Sequence, residues 1–164
     1  MGTGHLHDAA AAKKNLEQFD ASLEALKKSP HAYMVDSMDI DRDEINAWVA
    51  FAEGKNEQAA KLMRAAADKQ DAHGKQEVEI PAREMLADIL LESNHPKQSL
   101  AEYERSMETD PNRFNGLSGA ARAAELAKQT AKAERYYAQL VKNCEGAKSD
   151  RPELSRAKAQ LARK

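Results

Sequence analysis

Residues 87–112 read Ala87-Asp-Ile-Leu-Leu-Glu-Ser-Asn94-His-Pro-Lys-Gln-Ser99-Leu-Ala-Glu-Tyr103-Glu-Arg-Ser106-Met-Glu-Thr-Asp-Pro111-Asn112. Apolar residues recur here at three and four, first through Ile89 and Leu90 and then through Leu100, Tyr103 and Met107. That is the period of a helix with one buried face. Asn94-His95-Pro96 and Asp110-Pro111-Asn112 are breakers that close the two helical segments. The stretch therefore predicts two short helices joined by a tight turn, a helical hairpin.

Its spacing repeats. From Asn94, steps of five, four, three and five residues reach Ser99, Tyr103, Ser106 and Pro111. The same steps from Gly54 reach Ala59, Met63, Ala66 and Asp71, and from Lys128 they reach Ala133, Tyr137, Leu140 and Glu145. Seven residues before each start lies an alanine: Ala47, Ala87 and Ala121. Small residues recur where two helices cross closely, and a large one recurs where a neighbour leaves a hole. An internal repeat of this kind governs the expected fold.

Composition agrees. Alanine occurs 31 times, whereas valine, isoleucine and threonine together reach 11 and aromatics are 5%. Such a chain favours helix and lacks the β-branched and aromatic surface a sheet needs. The expected class is all-α, a right-handed α-solenoid of antiparallel helix pairs with about seven or eight helices in one repeat domain.

The segment 87–112 resembles a tetratricopeptide repeat: a small residue in the first helix, a turn, a small residue and then an aromatic in the second, and a closing Asp-Pro-Asn. The flanking copies, Ile40–Asp71 and Phe114–Glu145, share the spacing but lack the family's first-helix aromatic and closing proline. The resemblance covers about 110 of the 164 residues. Gly4, Ala9, Lys13 and Leu16 fit the steps weakly, and the expectation that follows is a chain that opens within a repeat. In this it is similar to the C-terminal portion of a longer bacterial multi-repeat protein.

The expected organisation is an orphan N-terminal helix over residues 8–28 and a tetratricopeptide-like pair over 36–71. A long polar linker, 72–80, separates this from a second pair over 80–111, a third over 112–145 and a C-terminal capping helix over 150–163. The linker accounts for a first interval of 40 residues, Ala66 to Ser106, against 34 from Ser106 to Leu140. Asp150 with Glu153 has the form of a capping box, and Pro152 suits a first turn.

Charge and motifs exclude several functions. Lys and Arg number 25 against 27 Asp and Glu, a formal net charge of −2, which argues against a nucleic-acid or anionic-membrane binder. No apolar run approaches the roughly 18 residues of a membrane span. The first residues lack the basic-then-apolar order of a signal peptide, and the compartment stays open between cytoplasm and periplasm. A single cysteine, Cys144, excludes an internal disulfide. Phosphate-loop, zinc-protease and nucleophile-elbow motifs are lacking, so a non-catalytic role without cofactor is expected.

His5 and His7 are two potential metal ligands in a terminal tail, too few for a defined site. His73 lies near Lys75, Glu77 and Glu79, as a loop residue or a ligand. His95 fits a helix-terminating turn. Cys144 fits a half-buried small hydrophobe, and Tyr103, Tyr136 and Tyr137 fit packing between helices.

The resemblance implies a concave groove lined by the first helix of each pair. The positions that match are Glu44, Trp48 and Phe51, then Glu84, Asp88 and Leu91, then Asn115, Ser118, Arg122 and Glu125. The carboxylate clamp of Lys, Arg and Asn used by one subset of the family is not expected here, since four of these ten positions, Glu44, Glu84, Asp88 and Glu125, are acidic. A basic or amphipathic peptide or helix is therefore the expected partner. Trp48 has a second reading, as packing against the orphan helix. The alternative function is structural, homodimerisation through the incomplete N-terminal repeat.

Overall fold

The computed structural model describes residues 7–35, 38–73 and 80–162, with only the backbone of His73. The described residues are helical, with no strand among them. They divide into two compact units, residues 1–82 and 83–164, where the sequence reading has one continuous repeat block.

In the first unit, α1 spans Ala9–Lys27 and begins at Asp8, whose Oδ1 accepts the Ala11 amide at 2.9 Å. That bond satisfies one of the amides a helix start leaves without a partner. A 3₁₀ turn, Ala32–Met34, follows, and then α2 (Asp39–Ala52) and α3 (Asn56–His73) form a hairpin. The orphan helix packs on α2, with Ala12 and Leu23 buried and Arg42 paired with Asp20 at 2.6 Å. Lys13 and Lys55 both hold the Glu53 carboxylate, lowering its pKa to about 2. The Oε1 of Gln70, near the end of α3, accepts the Ala82 amide at 2.9 Å.

Helix α4, Ala82–Glu92, opens the second unit from Arg83 onward. It is followed by α5 (Pro96–Thr109), α6 (Phe114–Leu126), α7 (Thr130–Asn143) and α8 (Pro152–Leu161). Consecutive helices from α5 to α8 pack in sequence. One core holds Ala87, Leu100, Tyr103, Leu117, Tyr137, Leu140 and a run of alanines.

The repeated spacing has a repeated geometry. Gly54, Asn94 and Lys128 all adopt left-handed backbone, at φ 76°, 61° and 60°. At each turn the same two hydrogen bonds form. Gly54, Asn94 and Lys128 donate their amides to Phe51, Leu91 and Glu125, and the next residues, Lys55, His95 and Gln129, donate theirs to Ala50, Leu90 and Ala124, all within 2.8–3.1 Å. This is the double-bonded helix stop that closes the last carbonyls of a helix. Ala47, Ala87 and Ala121 are fully buried, as are Ala59 and Ser99, and Ala133 nearly so. The Ser99 hydroxyl donates to the Ala87 carbonyl at 2.8 Å, so the two small positions of that hairpin meet directly. Helical hairpins built on one pattern thus occur once in the first unit and twice in the second.

Two boundaries differ from expectation. Helix α3 runs on to His73, and residues 74–79 of the expected linker lie outside the described residues, as do Gly4 and His5. The last helix starts at Pro152 with Arg151 as its N-cap, and no side chain caps it, so Asp150 and Glu153 form no capping box. Arg151 fills the place because its extended backbone and the proline's fixed φ begin the helix one residue later. Among the described residues no helix is long and apolar enough to cross a membrane.

Candidate functional site

The ten positions expected to line a groove fall in both units, and the structure treats them differently. In the first unit Glu44, Trp48 and Phe51 are buried, the last two at 2% and 1% exposure. Trp48 and Phe51 stand edge to face, their centroids 5.7 Å apart, and the His7 ring lies 4.7 Å from that of Phe51. They are core residues, which corrects the expectation of an exposed aromatic anchor. Helix α1 packs along α2, the helix that carries them.

The second unit holds the other seven. On α4, Glu84 is buried and accepts from the Arg113 guanidinium at 3.0 Å, while Asp88 and Leu91 are half-buried. Asp88 accepts a short hydrogen bond from the Tyr103 hydroxyl. Burial raises the Tyr103 phenol well above its ordinary pKa, and the adjoining Asp88 carboxylate adds to the rise. Two glycines let α6 come close to these groups. A Cβ on Gly116 would stand 3.2 Å from Glu84 Oε2, and one on Gly119 would stand 2.2 Å from Tyr103 Cζ.

Along α6 the expected positions stay at the surface: Asn115 exposed, Ser118, Arg122 and Glu125 half-exposed. Arg122 pairs with Glu125 at 2.9 Å. Glu125 also accepts from Tyr137 and from Gln160, each at 3.0 Å, which ties α7 and α8 to α6. Burial pushes the Glu125 carboxyl up, but the bonds from Arg122 and Tyr137 outweigh it and its pKa ends below normal. Tyr137 is pushed up to about 12 by burial and then by its bond to Glu125. At the other end of α6, Arg151 bonds Asn115 Oδ1 at 3.0 Å, its guanidinium carbon 3.8 Å from the Phe114 ring centroid.

Three carboxylates of the expected acidic wall are therefore already partnered inside the unit: Glu84, Asp88 and Glu125. The partners are Arg113, Tyr103, Arg122, Tyr137 and Gln160. Arg113 and Arg151 were invisible as such in the sequence, because each sits in an inter-helix segment whose aim no periodicity sets. The stripe Tyr103, Tyr136 and Tyr137 is buried as expected, at 1%, 7% and 3%, and Cys144 is half-buried. His95 is the N-cap of α5. Among the described residues no group of three or more His, Cys, Asp or Glu is placed to hold a metal ion.

No protein-family model and no curated protein matches the chain. Its function is read from the geometry above.

Proposed function

We propose that the chain is a non-catalytic protein-interaction module, a right-handed stack of tetratricopeptide-type hairpins that binds a peptide or helix with its first-helix face. The observation that carries this is the row Asn115, Ser118 and Arg122, spaced by three and four along α6 and left at the surface of a well-packed unit. Leu91 on α4 is half-exposed and supplies an apolar contact of the same kind. A row at this spacing suits the side chains of a docked helix or strand.

The partner's chemistry follows from what is already spent. With Glu84, Asp88 and Glu125 bonded internally, the preference for a basic partner loses its main support, and an amphipathic segment rich in hydrogen-bonding groups fits better. The test is affinity capture with Ser118→Glu, a half-exposed position on α6 that leaves the Arg122–Glu125 pair in place. The reading expects partners captured by the natural chain to be lost with this variant while the melting curve is unchanged. An identical set of partners would refute it. Trp48→Ala and Glu84→Lys are unsuitable, because they disturb buried residues and report on folding.

A second reading, homodimerisation through the N-terminal region, is favoured by Tyr33 and Met34, which stand 76% and 44% exposed in the turn after α1. Light scattering at tens of micromolar tests it: a dimer that Tyr33→Ser/Met34→Ser converts to monomer is expected, and a natural chain that is monomeric rejects it.

A further inference from the structure

The turn edge of the second unit carries a hollow of about 490 Å³, lined by His95, Pro96, Lys97 and Gln98 at the start of α5 and by Leu126, Ala127 and Lys128 at the end of α6. Part of its lining is apolar: Pro96, Ala127 and Leu126, the last left 42% exposed. Lys97 and Lys128 add two exposed cations, and their side chains have no ion-pair or hydrogen-bond partner among the described residues.

The repeat does not require this combination. Leu126 corresponds in spacing to Ala52 and Glu92, Lys97 to Glu57, and Lys128 to Gly54 and Asn94. An exposed leucine lining one hollow with two lysines is particular to this edge and does not follow from the hairpin repeat. The charge of the unit points the same way. Residues 83–164 hold fifteen Lys and Arg against twelve Asp and Glu, whereas residues 1–82 hold ten against fifteen.

We propose that this hollow docks an acidic segment of a partner protein, with an aliphatic side chain over Leu126 and carboxylates at Lys97 and Lys128. The apolar part of the lining suits a peptide side chain, and a bare inorganic anion would leave it unused. A nucleic-acid strand would call for a row of stacking faces, and the seven lining residues offer one imidazole, His95, and no Phe, Tyr or Trp. The surface goes beyond the first-helix row, being built from other residues.

The test uses the full chain and a fluorescein-labelled ten-residue peptide of glutamates around two leucines, followed by anisotropy at low salt. Saturable binding is expected, weakened about tenfold by Lys97→Glu/Lys128→Gly, since the lining charges then repel or vanish. Lys128 already sits at φ 60°, where glycine is at ease, so its replacement removes the charge without straining the turn. The charge-matched control Lys158→Glu/Lys148→Gln, at exposed lysines elsewhere in the unit, should bind as the natural chain does. Thermal melts of all three proteins should coincide or, for the glycine variant, rise. Amide resonances of Gln98, Leu126 and Ala127 should shift on titration. Equal weakening by both variants would overturn the proposal, as would equal binding of a glutamine version of the peptide. Stronger competition by a uridine oligonucleotide than by unlabelled peptide would overturn it as well.

Discussion

Ser106 carries a buried hydroxyl with no hydrogen-bond partner among the described residues, at a position where the other two copies of the repeat have Ala66 and Leu140. A buried polar atom without a partner costs about 1 kcal/mol or more. Ser106→Ala should therefore stabilise the chain by about 1 kcal/mol, read as a rise in Tm of roughly 2–4 °C. Gly119 poses the opposite case. Alanine gains roughly 1 kcal/mol over glycine inside a helix. Its Cβ, however, would lie 2.2 Å from Cζ of a tyrosine that is buried and bonded to Asp88, so neither ring nor hydroxyl can step aside. Overpacking costs about 1–3 kcal/mol, and Gly119→Ala should be net destabilising in a thermal melt, with Gly116→Ala milder. The small and large positions of the repeat were legible from spacing alone, because spacing reports which residues share a face. Which carboxylate finds which cation was not legible: Glu84 and Arg113 lie 29 residues apart, and only the packed turn before α6 brings them together.

At the scale of elements, the turns are the clearest match between sequence and structure. Gly54, Asn94 and Lys128 share one backbone conformation although they share no side chain, because a double-bonded helix stop requires a left-handed residue there. Glycine meets this without cost, asparagine at a small one, and lysine at roughly 1 kcal/mol. Lys128→Gly should raise stability by about 0.5–1 kcal/mol in denaturant unfolding, the smaller figure reflecting the freedom glycine gains when unfolded. The attachment of α7 and α8 to α6 turns on Glu125, and it gives a pH signature. Tyr137 is raised above the usual phenol value to about 12 in the folded chain. A raised folded pKa means that its stabilisation is complete below the unfolded value of roughly 10 and is lost as pH climbs towards 12. Circular dichroism should show stability falling through that window. Tyr137→Phe should remove about 1 kcal/mol at neutral pH and flatten this part of the alkaline decline. The capping box expected at Asp150 failed for an element-scale reason: the proline and the extended residue before it set the helix start, whatever side chain lies one residue earlier.

For the whole molecule, the sequence conveyed the all-helical class and the repeat-like run of short helices. It did less well on the face that meets a partner. Trp48 and Phe51 look like groove residues when the first hairpin is read alone, and in the folded chain they are core. Periodicity marks a face as apolar or polar but does not say what element comes to lie on it. The functional reading rests on the repeat, because the repeat is what singles out Asn115, Ser118 and Arg122 as a first-helix row. The most direct measurement of that claim is solution NMR of the three turns, combining backbone shifts, amide–α-proton couplings and amide exchange. The account predicts positive φ at Gly54, Asn94 and Lys128 together with protected amides at Lys55, His95 and Gln129. Right-handed helical φ at Asn94 or Lys128, with a helix running on through the turn, would contradict it.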